Sequence, residues 1–284
     1  MRRKTTAPRP ERPSPALGTV PYFAFMGIFL VLPVVANVLQ AFKSGGSWST
    51  DSLARVLEPQ YVDAFVLTTN LSLVTALAGG ALGLVLAWAL AGAQHPLWLK
   101  NVLLSYSAMA SQSGGVPLAF AFIATVGAQG LLTWLLPALL QGFRLDSFAG
   151  VALVYLYFQI PLMTVLMLPA LSGLRREWHE AATTLGAKPG QYLKDIALPV
   201  LAPSLGGALL LLFANSFSAY ATAYALAGGG LNLVPLLIGF FIAGNVMIDE
   251  SFAAALATVM MFVIVIAMGA RTLLDRRSRA WLDH

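Results

Sequence analysis

The sequence predicts an all-α integral membrane protein with six transmembrane helices. Hydrophobic residues make up 58% of its 284 residues and charged residues only 10%, with a mean hydropathy of +0.77, whereas a soluble domain carries about 25% charged residues. Six apolar runs are long enough to cross a bilayer, and basic residues flank them asymmetrically. Because backbone in contact with lipid must satisfy its own hydrogen bonds, we expect the six runs to be helices.

The six runs contain no Asp, Glu, Lys or Arg, and each approaches or exceeds the roughly 20 residues that a spanning helix needs. The predicted spans are Val20–Phe42, Ala64–Gly92, Asn101–Gly127, Phe148–Ser172, Val200–Ala227 and Phe252–Ala270. The first follows a basic segment, but it is longer than the apolar region of about 7–15 residues found in signal peptides, so we expect it to remain as a helix. Two other apolar stretches, Gly130–Leu140 and Leu231–Ile248, are short or interrupted by Pro and Gly. We expect both to be re-entrant or interfacial elements on the outer face.

The basic residues predict the orientation. If the N-terminus lies inside, only Lys43, Arg55 and Arg144 of the 17 Lys and Arg residues fall on outer segments. This bias agrees with the positive-inside rule and places both termini in the cytoplasm. A seventh span at Leu231–Ile248 would move the C-terminal arginines outside, which is a further reason to expect that it does not span.

The chain is expected to form one membrane domain between two tails. Residues 1–16 are rich in Arg and Pro and cannot build a core, so they are predicted to be a disordered cytoplasmic tail. Residues 17–274 form the transmembrane domain, and residues 275–284 form a basic cytoplasmic tail. The longest inner connection is residues 173–199.

Residues 173–199 read GLRREWHEAATTLGAKPGQYLKDIALP and predict two helices joined by a tight turn. Arg175–Leu185 contains no helix breaker. Gly186 can adopt the left-handed conformation that ends a helix, and Pro189 suits the first turn of the next helix. With Gln191–Leu198 as the second helix, the loop is expected to be a rigid cytoplasmic protrusion.

This loop resembles the EAA motif of the permease subunits of binding-protein-dependent ABC importers. The fixed positions of that motif are matched by Glu180, Ala181, Ala182, Gly186, Ile196, Leu198 and Pro199. The motif also stands where the family has it, on the inner side before the penultimate span. The resemblance implies the type I ABC importer permease fold, with the loop acting as a coupling helix in a bacterial inner membrane.

The resemblance also implies partners besides the surrounding membrane lipid. A dimer of ABC ATPase subunits is expected to dock on the loop, where small alanines allow close approach and Glu180 offers a carboxylate. A second permease subunit, identical or homologous, is expected to complete the path, and a periplasmic or extracellular substrate-binding protein is expected to dock outside. Nucleic acid is not an expected partner. The alternative for Glu180 is an ion pair with Arg176 on the same helix.

Several other functions lack their sequence signals. No GxxxxGK[ST] loop is present, so ATP hydrolysis is expected on a separate subunit and the chain is not expected to be an enzyme. The three histidines form no metal-binding pattern, and no nucleophile set is visible, so neither a metal, a cofactor nor a catalytic residue is predicted. The spans lack the ionisable residues typical of proton-driven carriers. A secondary, ion-coupled carrier that uses hydroxyls and backbone carbonyls remains the alternative function.

Polar residues within the spans are the candidates for the substrate path. At 100° per residue, Asn215, Ser218 and Thr222 of the fifth span share one helical face, and Tyr220 and Tyr224 share another. The bland alternative is that such residues only hold helices together. In the third span, polar residues precede a sequence at which a helix can break, namely Ser111 and Gln112 before Gly114, Gly115 and Pro117.

The segment Phe217–Gly229 (FSAYATAYALAGG) is similar to the corresponding segment of permeases in the polyamine-like branch. That branch also includes transporters for iron, thiamine and aminophosphonates. The similarity implies a small polar solute, for example a polyamine, although the spans offer no acidic residue to receive a cation.

Overall fold

The computed structural model describes residues 15–44, 46–92, 96–140, 142–243 and 248–280, and the regular secondary structure in these ranges is helical apart from one short hairpin. The helices are α1 (Pro15–Met26), α2 (Leu32–Ala41), α3 (Asp51–Arg55), α4 (Pro59–Gly92), α5 (Leu97–Ser111), α6 (Val116–Val126), α7 (Leu131–Leu135), α8 (Pro137–Leu140), α9 (Phe148–Ser172), α10 (Arg176–Thr184), α11 (Pro189–Tyr192), α12 (Leu198–Phe217), α13 (Ala221–Ala227), α14 (Val234–Ala243) and α15 (Glu250–Ala280). Strands β1 (Lys43–Ser44) and β2 (Ser47–Trp48) pair antiparallel. Two π-helical turns, Gly27–Val31 and Leu193–Ala197, join α1 to α2 and α11 to α12.

Six helical stretches in the described ranges are long and apolar enough to cross a membrane. They are Thr19–Ala41, Pro59–Gly92, Val116–Leu135, Phe148–Ser172, Pro189–Phe217 and Glu250–Gly269. The predicted fold class is therefore confirmed. The predicted N-terminal tail lies outside the described residues except for Pro15 and Ala16. The last helix continues to Ala280, so the described part of the predicted C-terminal tail is helical.

The third predicted span is not one helix. Helix α5 ends at Ser111 and α6 begins at Val116. Between them Gly115 has a φ of +105°, which side chains other than glycine rarely adopt. Pro117 then stands at the start of α6, where its missing N–H costs no helical hydrogen bond. The prediction of a single helix over Asn101–Gly127 is therefore wrong, because Gly115 and Pro117 interrupt it.

The fifth predicted span is also built differently. Its helix begins at Pro189 and passes through the π-helical turn into α12, so the predicted second helix of the inner loop is not separate from the span. The π-helical turn includes Asp195, whose carbonyl group Pro199 would crowd four residues later in a regular α-helix. At its other end α12 stops at Phe217, and α13 begins after a break at residues 218–220. The prediction of a continuous helix over Val200–Ala227 is therefore wrong.

The centre of the bundle is a close contact between α4, α9 and α12. Gly79 and Gly83 lie on the face of α4 that meets α9, and a Cβ on Gly83 would come within 2.5 Å of the Ile160 carbonyl oxygen and of Met163 Cβ. The Thr164 hydroxyl donates to the Gly83 carbonyl oxygen at 3.2 Å. Small residues of this kind let membrane helices approach closely, so packing rather than charge stabilises this contact.

At the end of the bundle away from residues 173–199, an arginine joins distant elements. Arg55 Nη1 lies 3.0 Å from Asp249 Oδ2, and its guanidinium carbon is 4.2 Å from the ring centroid of Phe252. Asp249 also accepts a hydrogen bond from the Phe252 backbone N–H at the start of α15. This cluster fixes α3, and with it the β1–β2 hairpin, to the first turn of α15.

Candidate coupling loop and translocation path

The EAA loop, residues 173–199, contains a sharp corner that local sequence determines. Gly186 has a φ of +79°, as predicted for a residue that ends a helix in the left-handed region. The Gly186 N–H donates to the Thr183 carbonyl oxygen, and the Ala187 N–H donates to the Ala182 carbonyl oxygen, each at 2.9 Å. These two bonds form a Schellman motif, which satisfies the last carbonyls of α10. The predicted turn is therefore confirmed.

The second helix of the loop is also capped. The Lys188 backbone N–H donates to Gln191 Oε1 at 2.8 Å, and Pro189 occupies the first helical turn. The rings of His179 and Tyr192 meet edge to face, with centroids 4.8 Å apart, which braces α10 against α11. The turn at Gly186, the capping bond of Lys188 and the contact between His179 and Tyr192 therefore fix the two loop helices relative to each other.

The EAA residues divide between two sides of the loop. Glu180 and Ala181 on α10 are exposed, whereas Ala182 is buried, at 7% exposure, against the chain itself. Glu180 Oε1 lies 3.2 Å from Arg176 Nε, which is the ion pair that the sequence left as an alternative. Among the remaining motif positions, Ile196 is half-buried and Leu198 and Pro199 are exposed. The exposed surface of α10 therefore contains Glu180 and Ala181 but not Ala182.

The second candidate site lies where the break between α5 and α6 meets the break between α12 and α13. The Gly115 N–H, at the start of α6, donates to Thr222 Oγ1 on α13 at 2.6 Å. The Tyr155 hydroxyl of α9 donates to the Ala219 carbonyl oxygen at 2.8 Å. Both breaks expose backbone groups that an unbroken helix would satisfy, and these two bonds compensate for that loss.

A cavity of about 260 Å³ lies between the two breaks. Polar side chains make up about half of its wall, and they are Ser111, Gln112, Asn215, Ser218, Tyr220 and Thr222. The side-chain amides of Gln112 and Asn215 are exposed to the cavity and form no hydrogen bond within the described residues. The cavity wall therefore offers free donors and acceptors without a carboxylate, ammonium or guanidinium group.

The cavity lies near the middle of the bundle. Thr75, halfway along α4, shares a hydrogen bond of 2.8 Å with Ser216, which precedes the break after α12. Gln159, halfway along α9, donates from Nε2 to the Leu212 carbonyl oxygen at 2.8 Å. Breaks at this depth are tolerated where the backbone lines a cavity rather than lipid.

The predicted path residues have three different roles in the structure. Asn215, Ser218 and Tyr220 line the cavity between the breaks. Thr222 also borders the cavity, but its side chain is buried, at 3% exposure, and its hydroxyl accepts the hydrogen bond from Gly115 that joins the two breaks. Tyr224 stacks on Tyr220, with centroids 5.5 Å apart, beside a second cavity of about 440 Å³. The predicted division into two helical faces is wrong because the helix breaks between Phe217 and Ala221.

Replacing Thr222 by valine is expected to destabilise the chain by about 1–3 kcal/mol, because the Gly115 N–H loses its partner in a partly buried site. Thr125→Val is the matched control, since the exposed Thr125 hydroxyl bonds only to its own helix, at the Ala121 carbonyl oxygen. Thermal unfolding of both purified variants measures the difference. Equal midpoints would show that the bond between the breaks contributes nothing.

The sequence is similar to those of known proteins. The family described as "Binding-protein-dependent transport system inner membrane component" matches residues 79–280. The sulfate transport system permease protein CysT of Salmonella typhimurium is 27% identical over 215 residues, covering 72% of each chain. The ferric transport system permease protein FbpB of Actinobacillus pleuropneumoniae is 24% identical over 239 residues, covering 82% of this chain and 34% of that protein.

Solved structures show the same fold. The crystal structure of a bacterial ABC transporter involved in the import of the acidic polysaccharide alginate contains a chain with a TM-score of 0.72 and 16% identity, covering 93% of this chain and 94% of that one. The permease relatives above are named for sulfate and ferric iron. The comparisons therefore do not support the polyamine expectation drawn from Phe217–Gly229.

Proposed function

We propose that this chain conducts a small oxyanion of the sulfate type. The chain belongs to the family of binding-protein-dependent transport system inner membrane components and is an ABC importer permease subunit. The path runs through the cavity between the two helix breaks. The observation that supports this substrate class is the composition of the cavity wall, in which the amides of Gln112 and Asn215 are unpaired and carboxylates are absent.

The charge of the wall favours an oxyanion over a cation. A multivalent cation such as ferric iron is poorly compensated by neutral amides and hydroxyls when it leaves water, and the wall provides no carboxylate to offset its charge. The oxygens of a sulfate-type ion instead accept hydrogen bonds from the amide NH₂ groups of Gln112 and Asn215 and from hydroxyls such as that of Tyr220. Without an arginine or lysine the ion is held weakly, which suits a path that the solute must also leave. The sulfate transport relative points the same way.

The partners follow from the exposed surfaces. ATPase subunits dock on the exposed side of α10 at Glu180 and Ala181. A second permease subunit faces the exposed Tyr220 and Tyr224, so that the cavity closes between two subunits. A substrate-binding protein docks at the opposite end, where Trp48 is 69% exposed on a hairpin that the Arg55 cluster holds in place. This arrangement has both termini in the cytoplasm of a bacterial inner membrane.

The experiment is uptake of radiolabelled sulfate into vesicles that contain the transporter co-purified from native membranes. We expect sulfate uptake only when ATP is supplied on the side of the membrane that carries the ATPase subunits. Asn215→Leu is expected to reduce it roughly tenfold, the effect of losing one hydrogen bond to a charged group. Asn70→Leu, an exposed amide of α4 outside the cavity, is the matched control and should leave uptake unchanged.

A neutral disaccharide is the competing solute in the same assay, because the stacked rings of Tyr220 and Tyr224 offer a face on which a sugar can stack. Uptake of the disaccharide without uptake of sulfate would overturn the oxyanion proposal while leaving the permease assignment intact. Equal losses in the Asn215→Leu and Asn70→Leu variants would overturn the proposed position of the path.

A further inference from the structure

A large cavity in the described part of the chain is remote from the helix breaks. It has a volume of about 790 Å³ and opens between the EAA loop and the last turns of α4 and α9. Its apolar wall includes Trp88, Leu171, Leu174 and Tyr192, and its rim carries Arg175 and His179. Neither the coupling role of α10 nor the solute path uses this space.

The cavity straddles the boundary between the apolar spans and the polar loop. Helix α4 ends at Gly92 and α9 ends at Ser172, and the first basic residue of the loop, Arg175, follows three residues later. Trp88 and Tyr192 are of the residue types that concentrate at the interface between lipid and water. We therefore place the apolar part of the cavity, around Trp88 and Leu171, at the depth of acyl chains, and the rim, around Arg175, at the depth of headgroups.

The charge on the rim is not neutralised by the chain. Arg176 pairs with Glu180, but the exposed side chain of Arg175 forms neither an ion pair nor a hydrogen bond within the described residues. The neighbouring His179 ring contacts Tyr192. An anion at the rim would therefore find a guanidinium group whose donors are free, beside an apolar wall.

We propose that this cavity binds one anionic phospholipid from the leaflet at the EAA end. The phosphate accepts hydrogen bonds from Arg175, and the first part of an acyl chain lies along Trp88 and Leu171. Basic pockets between spanning helices on the cytoplasmic side bind acidic headgroups in this way. A free phosphate ion would use the arginine but not the apolar wall, so the lipid accounts for both halves of the site.

A lipid in this position contacts the end of α9 and both helices of the loop at once, since Leu171, His179 and Tyr192 all line the cavity. It would therefore brace the protrusion from the membrane side. The proposal goes beyond solute transport, because lipid binding can be measured without ATP or substrate.

Native mass spectrometry of the purified transporter, titrated with phosphatidylglycerol and with phosphatidylcholine of the same acyl chains, tests the proposal. We expect tighter binding of phosphatidylglycerol. Arg175→Gln should weaken that binding about fivefold, the contribution of one basic residue near a membrane surface, without changing phosphatidylcholine binding. Lys194→Gln removes the same charge from the same loop outside the cavity and should leave the affinity unchanged.

A second variant tests the apolar half of the site. Ala91 lines the cavity near the end of α4, and Ala91→Phe should displace the acyl chain and reduce phosphatidylglycerol binding while every charge remains. Thermal unfolding of each variant confirms that it is folded. Equal loss in the Arg175→Gln and Lys194→Gln variants, full binding in Ala91→Phe, or displacement of the lipid by inorganic phosphate alone would each overturn the proposal.

Discussion

Replacing Gly83 by leucine should prevent the chain from accumulating in folded form, whereas the same replacement at Gly27 should be tolerated. A Cβ on Gly83 would lie 2.5 Å from the backbone oxygen of Ile160, and backbone cannot rotate away as a side chain can. Overpacking a well-packed core typically costs about 1–3 kcal/mol, and a clash with backbone in the contact between α4 and α9 is expected to exceed that range. A Cβ on Gly27 would meet no neighbouring group within 4 Å, so this glycine provides the matched control.

The yield of monodisperse protein after detergent extraction measures this effect. Gly83→Ala adds only the methyl group, so it should still give folded protein, but with a lower unfolding midpoint. Gly27→Ala is its control and should leave the midpoint unchanged. If Gly83→Leu is recovered at the level of Gly27→Leu, the close contact between α4 and α9 is not present in the folded protein.

Replacing Glu180 by arginine should abolish co-purification of an ATPase with this subunit and, with it, ATP-dependent uptake. Glu180 is exposed on α10 beside Ala181, so a partner that presents a basic group there would meet a like charge, which costs several kcal/mol at an interface. Within the chain the change replaces the surface pair with Arg176 by a like-charge pair, and each is worth only about 0.2–0.5 kcal/mol, so the fold should survive.

Asp195→Arg is the matched control for this experiment, because it makes the same charge change in the same loop at an exposed residue outside the motif positions. Mass spectrometry of the co-eluting proteins and the unfolding midpoint are measured for both variants. An ATPase that still elutes with Glu180→Arg, or that is lost equally with Asp195→Arg, would contradict the docking role of Glu180.

The corner of the EAA loop shows what local sequence can predict. Gly186 was expected in the left-handed region and Pro189 in a first helical turn, and both expectations are confirmed. The break before α6 also has a local signal, because Gly115 and Pro117 both disfavour a continuous helix. In each case the conformational preference of one or two residues decides the structure.

The break after Phe217 has no such signal. Residues 217–221 read FSAYA and contain neither Gly nor Pro, so helical propensity predicts continuity. The break depends instead on distant partners, since Tyr155 donates to the Ala219 carbonyl oxygen and Thr222 accepts from Gly115. The sequence therefore identified Asn215, Ser218 and Tyr220 as polar residues of the span. It did not predict the cavity that they share with Ser111 and Gln112 at the end of α5.

Two other features needed the structure for different reasons. The spacing of Gly79 and Gly83 is that of a small-xxx-small motif, which could have predicted a tight helix contact but not that α9 is the partner. The pair of Arg55 with Asp249 joins residues 194 positions apart. No pattern in one sequence links such residues, because the chain brings them together only after the bundle has formed.

The continuity of the helical stretch from Pro189 to Phe217 has a mechanical consequence. It begins at the corner of the EAA loop, passes through the π-helical turn at Leu193–Ala197 and ends beside the cavity without leaving helical conformation. At 1.5 Å per residue it is a lever of about 43 Å, so a tilt of about 10° at the loop would shift the far end by about 7 Å. A shift of that size is comparable to the diameter of a small hydrated ion, and it would change which side of the membrane the path admits.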